Sequence, residues 1–173
     1  QKLEESGLIM EYAEYLESLT PQSGLTEVIQ DDRQTMNGFM YYKRVEQYLH
    51  KAIEEDLFEV YYQPVYSTRE RRFITVEALS CLYHPELGWI APDVFIQIAE
   101  KNHMIEQITD LQFCRVCRFL SENRWLMDQL LNVKVNLSAL DLMKNDCSSH
   151  FIQMMDAFEI PHNWIQFEIT ETV

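Results

Sequence analysis

The sequence predicts an α/β fold in which a mostly parallel, helix-covered sheet follows an antiparallel opening hairpin. Three observations lead there. Residues 58–66, 73–79, 132–138 and 164–170 alternate in character with period two, the signature of strands. From the second of these runs onward, the strands are separated by stretches of helical periodicity, and parallel neighbours require such crossovers. The first two runs are joined only by Ser67–Arg72, a connection suited to antiparallel neighbours.

The elements follow in order. From Leu3 to Leu19, the residues Leu8, Ile9, Tyr12, Ala13, Tyr15, Leu16 and Leu19 recur at helical spacing, and Thr20-Pro21-Gln22-Ser23-Gly24 ends that helix. Leu25–Asn37 fits no single pattern, and Asn37-Gly38 predicts a turn. A second helix is expected from Phe39 to Glu55, with Val45, Tyr48, Leu49, Ala52 and Ile53 as its buried stripe. Residues 1–40 thus read as a helical lead-in or the tail of another domain.

In the first strand Phe58, Val60 and Tyr62 oppose Glu59, Tyr61, Gln63 and Val65, and Pro64 either places it at a sheet edge or ends it there. In the second, Phe73, Thr75, Glu77 and Leu79 oppose Ile74, Val76 and Ala78. His84-Pro85-Glu86-Leu87-Gly88 reads as a loop with His84 as a turn residue, and Pro92 suits the first turn of a helix to about Lys101. A further helix is expected from Ile105 to Glu122, with Ile108, Leu111, Cys114, Arg115, Arg118 and Phe119 at helical intervals. The third strand sets Val133, Val135 and Leu137 against Asn132, Lys134, Asn136 and Ser138. Asp141–Phe158 is helical, Pro161 breaks it, and the last strand sets Ile165, Phe167 and Ile169 against Trp164, Gln166, Glu168 and Thr170.

Composition narrows the function classes. With 173 residues, 47% of them hydrophobic, the chain can bury a real core. A formal net charge of −14 argues against a broad surface for DNA, RNA or anionic membrane. An anionic ligand would need local cations or a bound metal. No apolar run is long enough to span a bilayer and the N-terminus does not read as a signal peptide, so the expected location is cytoplasmic. Cys81, Cys114, Cys117 and Cys147 are too scattered for a disulfide framework. Cys114 and Cys117 form a C-x-x-C within a helical pattern, without the second pair that a zinc site needs.

In a (β/α) barrel one face of each strand meets the helices and the other meets the barrel axis. The apolar faces suit the helices, which turns Gln63, Glu77, Asn136 and Glu168 inward. Three of these lie near C-terminal strand ends, where barrel enzymes keep their chemistry. Two carboxylates and an amide oxygen are what a hard cation such as Mg²⁺ accepts. Each residue alone is better explained as a solvated sheet position, but a parallel sheet is normally covered on both faces, so together the three point to a metal. Glu171 should lie past the last strand, above that site, where it would orient a ligand or simply face solvent.

These residues resemble the EAL family of cyclic-di-GMP phosphodiesterases. Tyr62-Gln63-Pro64-Val65 is similar to the family's opening strand, and Glu77-Ala78-Leu79 to the triplet that names it. His84-Pro85-Glu86-Leu87-Gly88, Pro92 with Phe95-Ile96, Ala99-Glu100, Val135-Asn136-Leu137-Ser138 and Glu168-Ile169-Thr170-Glu171 continue the likeness in order. The resemblance implies a partial TIM-like (β/α) barrel with an antiparallel first strand, preceded by a helical N-terminal segment. Residues 41–173 would form the N-terminal half of that barrel, and residues 1–40 the lead-in or the tail of a degenerate GGDEF-like domain. It also implies Mg²⁺ or Mn²⁺ on Glu77, Asn136 and Glu168, catalytic roles for Glu77 and Glu171, and substrate contacts from Gln63, Leu79 and Cys81. The implied reaction is hydrolysis of cyclic-di-GMP to linear pGpG in bacterial signalling, with the metal polarising a phosphoryl oxygen and activating water. A homodimer through the barrel domain is a further expectation.

Two departures accompany this likeness. Cys81 stands where the family commonly carries an arginine that holds a substrate phosphate. The chain stops at Val173, about halfway through the family's barrel, before the later aspartate pair, lysine and glutamate of its metal site. The chain alone is therefore expected to be inactive. The alternative function is that of a degenerate EAL domain acting as a non-catalytic cyclic-di-GMP receptor or protein-interaction module.

Overall fold

A computed structural model of the protein describes residues 2–19, 33–143 and 146–170. The chain divides into two compact units, Gln1–Gln47 and Tyr48–Val173. In the first, helix α1 (Lys2–Ser18) packs on the start of α2 (Arg33–Glu54). Tyr12 and Tyr15 place their rings 5.0 and 5.5 Å from that of Phe39, which is buried. Helix α2 begins six residues before the expected Phe39, and Asn37-Gly38 lies inside it rather than in a turn. Gly38 serves close packing: a Cβ there would come 2.4 Å from Tyr15 Oη. Of the stripe expected on α2, Val45, Leu49 and Ala52 are fully buried, while Tyr48 and Ile53 are half-buried.

The second unit is a mixed sheet clothed by helices. Strands β1 (Phe58–Ser67) and β2 (Arg72–His84) form the antiparallel hairpin that their short connection requires. Strand β1 pairs only with β2 among the described residues, so the missing N–H of Pro64 interrupts no second ladder. Strand β2 runs five residues beyond the expected Leu79 and turns back into β3 (Gly88–Ile90), a hairpin the sequence reading missed. Leu82 and Ile90 pair across it and are both buried, which gives the extra length its apolar anchor. The turn is held by His84, whose Nδ1 accepts the N–H groups of Glu86 and Leu87 at 3.0 and 3.1 Å, and Gly88 supplies a φ of 75°.

Helices α3 (Pro92–Lys101) and α4 (Ile105–Glu122) follow as expected, with Pro92 in the first turn. The buried face of α4 is Ile105, Ile108, Thr109, Gln112, Phe113, Val116, Cys117 and Leu120, so of the intervals read from the sequence only Ile108 is fully buried. Phe119 instead lies at the margin, stacked on Tyr62 with centroids 4.3 Å apart, and Arg115 leaves the core to ion-pair with Asp56 at 2.8 Å. Strand β4 (Asn132–Ser138) matches its expected bounds. The helical stretch after it is two helices, α5 (Ala139–Leu142) and α6 (Cys147–Ala157), before β5 (Ile165–Thr170). Ser138 and Asp141 cap α5 reciprocally.

The strand order is β1-β2-β4-β5, with β3 on β2, and β2, β4 and β5 run parallel. Ala78, Val133, Val135 and Leu137 meet Phe113, Val116, Leu120 and Phe151 on the helix side. The Phe113 and Phe151 rings lie 5.5 and 4.9 Å from Phe167. Burying each such side chain contributes about 1.5–3 kcal/mol, which is why this face holds the unit together. Cys117 belongs to the same core; burial pushes its thiol up to about 12, the reverse of what a reactive C-x-x-C needs.

Candidate functional site

The opposite face of the parallel strands is polar, because the period of two turns every second residue away from the helices. Register aligns Gln63 with Glu77, Glu77 with Lys134, Lys134 with Gln166, and Asn136 with Glu168. Asn136 Nδ2 donates to Glu77 Oε1 at 2.7 Å across the β2–β4 pair. Lys134 ion-pairs with Glu168 across β4–β5, both side chains part-buried. One layer nearer the strand starts, Thr75 Oγ1 donates toward Asn132 at 2.6–2.7 Å and Asn132 Nδ2 donates to Gln166 Oε1 at 3.0 Å. An uncharged hydrogen-bonded floor thus supports a charged upper layer.

Helices fix this layer from behind. Where the β2–β4 pairing ends, at Ala78 and Val135, the buried Gln112 donates Nε2 to the Ala78 carbonyl at 2.8 Å. Ser138 Oγ donates to Glu100 Oε1 at 2.6 Å. The buried Asp141 accepts from Thr109 Oγ1 at 3.0 Å and from the Ser138 N–H at 3.3 Å. Burial raises the Asp141 carboxyl above its ordinary range, and those two hydrogen bonds oppose the rise.

The oxygen atoms that a hard cation would find here are the carboxylates of Glu77 and Glu168 and the Oδ1 of Asn136, the amide end left over when Nδ2 serves Glu77. That set fits Mg²⁺ or Mn²⁺, which take one or two carboxylates and otherwise water and phosphate oxygens. Among the described residues there is no group of three His, Cys, Asp or Glu placed for a metal, and the set read here has two carboxylates and an amide. Glu171 lies outside the described residues.

The other candidates fall around this layer. Gln63 is exposed on β1, in register with Glu77. Leu79 lines a cavity of about 370 Å³ together with Pro92, Phe95, Ile96, Asn136 and Ser138, at the C-terminal end of β4. Cys81 lies further along β2, in register with Glu59. Burial, and then the Glu59 charge, raise its thiol, so the position offers a neutral group beside an acid. Lys134, Thr75, Asn132 and Gln166 were not singled out from the sequence. The alternation that selects Asn136 and Glu168 also selects each position two residues before, which was the available signal.

Fold and layer define a partial (β/α) barrel with an oxygen-rich cluster at the ends of its parallel strands. The chain belongs to the EAL domain family, whose model matches residues 46–173. The cyclic di-GMP phosphodiesterase NbdA of Pseudomonas aeruginosa is 30% identical over 128 residues, 74% of this chain and 16% of that protein. The probable cyclic di-GMP phosphodiesterase PdeN of Escherichia coli is 30% identical over 120 residues, 69% of this chain and 23% of its own length. The solved PaMucR phosphodiesterase in complex with c-di-GMP superposes with a TM-score of 0.66 at 28% identity, covering 74% of this chain and 52% of that one. The chain therefore spans less than a quarter of those two curated relatives and about half of the solved one. No helix among the described residues is long and apolar enough to cross a membrane.

Proposed function

We propose that this chain is the N-terminal part of an EAL phosphodiesterase that hydrolyses one phosphodiester bond of cyclic-di-GMP to give linear pGpG. The single observation that carries the reading is the contact of Asn136 with Glu77, with Glu168 in register beside Asn136, at the parallel strand ends of a chain in the EAL family. Glu77, Asn136 and Glu168 would hold Mg²⁺ or Mn²⁺. A cation held there would supply charge neutralisation at the phosphodiester and an acidified water at neutral pH.

The chain's own residues do the rest. The Asn136 amide holds the Glu77 carboxylate in its orientation, and Gln112 fixes the strand on which Glu77 sits. Gln63 presents an exposed amide for the dinucleotide, and Leu79 an apolar wall beside it. Glu171 would steady the loop above the cation. Residues 1–40 would be a lead-in to this domain, and a second copy of the protein its partner in a dimer.

A second reading rests on Cys81. A neutral thiol next to Glu59 cannot hold a phosphate as an arginine would, which favours a receptor that binds cyclic-di-GMP without cleaving it. Incubating the intact parent protein, of which this chain would be the N-terminal part, with Mn²⁺ and cyclic-di-GMP and separating the nucleotides distinguishes the two. The enzyme reading expects pGpG from wild type and none from Glu77→Gln. Binding without pGpG, with turnover appearing in Cys81→Arg, supports the receptor instead.

A further inference from the structure

We propose that Lys134 is a positioning residue for the cation site: a resident counter-ion that holds Glu168 and that a divalent cation must displace from it. This rests on the reading of Glu77, Asn136 and Glu168 as cation ligands. On the inward faces of β2, β4 and β5, the charged residues described are Glu77, Lys134 and Glu168. Lys134 aligns with Glu77 on one side, its ammonium pairs with Glu168 on the other, and Glu77 Oε1 accepts the Asn136 amide. The layer below, Thr75, Asn132 and Gln166, offers no carboxylate for it to move to.

The charge balance follows directly. Two acids and one ammonium leave the layer at −1, whereas the two acids alone would match a divalent cation. A fixed positive charge in direct contact with one donor carboxylate repels an arriving cation and occupies an oxygen that it needs. The same contact keeps Glu168 turned inward before any cation arrives. A flexible four-carbon stem lets the ammonium swing away when the cation takes its place, which a rigid guanidinium fork would do less readily. Lys134 thus trades cation affinity for a prearranged ligand.

The test is equilibrium Mn²⁺ binding to the whole chain, read as free Mn²⁺ by electron paramagnetic resonance. Lys134→Met removes the charge at similar length and is expected to tighten Mn²⁺ binding about fivefold to tenfold, the scale of a part-buried ion pair. The same variant should melt at a lower temperature than wild type without cation, since Glu168 loses its partner. Should Lys134→Met fail to fold, Lys134→Gln also removes the charge and carries the same expectation for Mn²⁺. A lysine that only stabilises the fold would shift melting and leave Mn²⁺ affinity unchanged or weaker in both neutral variants, and that result overturns the proposal. Glu168→Gln separates the two levels of inference. If it abolishes the Mn²⁺ binding of wild type while the neutral variants bind as wild type does, the cation site stands and the role of Lys134 falls. If neither wild type nor the neutral variants bind Mn²⁺, the cation-site reading fails and takes this one with it.

Discussion

On the helix side of β2, β4 and β5, Ala78, Val133, Val135 and Leu137 are at most 2% exposed and close against Phe113, Val116 and Leu120. One residue along from them, Glu77, Lys134, Asn136 and Glu168 face the other way, and Lys134 and Glu168 keep 25% and 35% of their side-chain surface open. The same backbone builds both faces, so the difference lies in what each face loses on mutation. The apolar face loses burial and contact, which are cooperative and large. The polar face loses a donor or a charge, which costs little stability but removes chemistry. Stability and function should therefore separate by side of the sheet.

The largest effect is expected behind the sheet. Phe113→Ala should cost about 3–5 kcal/mol in urea unfolding, since it opens a cavity between Phe151, Phe167 and the strands. A loss below about 1 kcal/mol would mean that this face is not the structural one. Glu77→Gln should do the reverse. It should weaken Mn²⁺ binding by at least the roughly 10–100-fold that disturbing a metal ligand's support costs, with melting close to wild type. Equal losses in both measurements would erase the contrast between the faces.

Smaller changes sharpen it. Thr75→Val deletes the hydroxyl that reaches Asn132 and should cost about 1 kcal/mol, with Mn²⁺ affinity within twofold of wild type, because it lies in the floor and not the charged layer. Asp141 supplies a pH test on the buried side. Its carboxyl is raised above 3.8 by burial, so the folded state holds that proton more firmly than the unfolded chain. The stability this lends is complete below 3.8 and is lost as pH rises through the folded-state value. Asparagine keeps the acceptor for Thr109 and Ser138 but has no such proton. The melting difference between Asp141→Asn and wild type should therefore move in the variant's favour as pH rises above 3.8, then level off. A difference independent of pH would contradict the burial of that carboxyl.

Strand alternation is local, and what depends on it was legible. The bounds of β4 and the shared face of Glu77, Asn136 and Glu168 follow from counting by two, and the hairpin of β1 with β2 from the shortness of the connection between them. What tertiary packing decides was not. Of the α4 residues read at helical intervals Ile108 is buried, whereas Phe119 stacks on Tyr62 and Arg115 pairs with Asp56, contacts that a helical period does not contain. Asn37-Gly38 carries turn chemistry, yet the approach of Tyr15 makes Gly38 a packing residue within a helix. Lys134 aligns with Gln166 yet pairs with Glu168, one inward position further along β5. No single strand's sequence contains that offset.

Two carboxylates and an amide on three parallel strands are proposed to hold one cation. Anomalous diffraction from crystals of the protein soaked in Mn²⁺ tests it most directly. A peak is expected within bonding distance of Glu77, Asn136 and Glu168, with the Lys134 ammonium moved off Glu168. A peak elsewhere, or none while the Lys134–Glu168 pair remains closed, would contradict it.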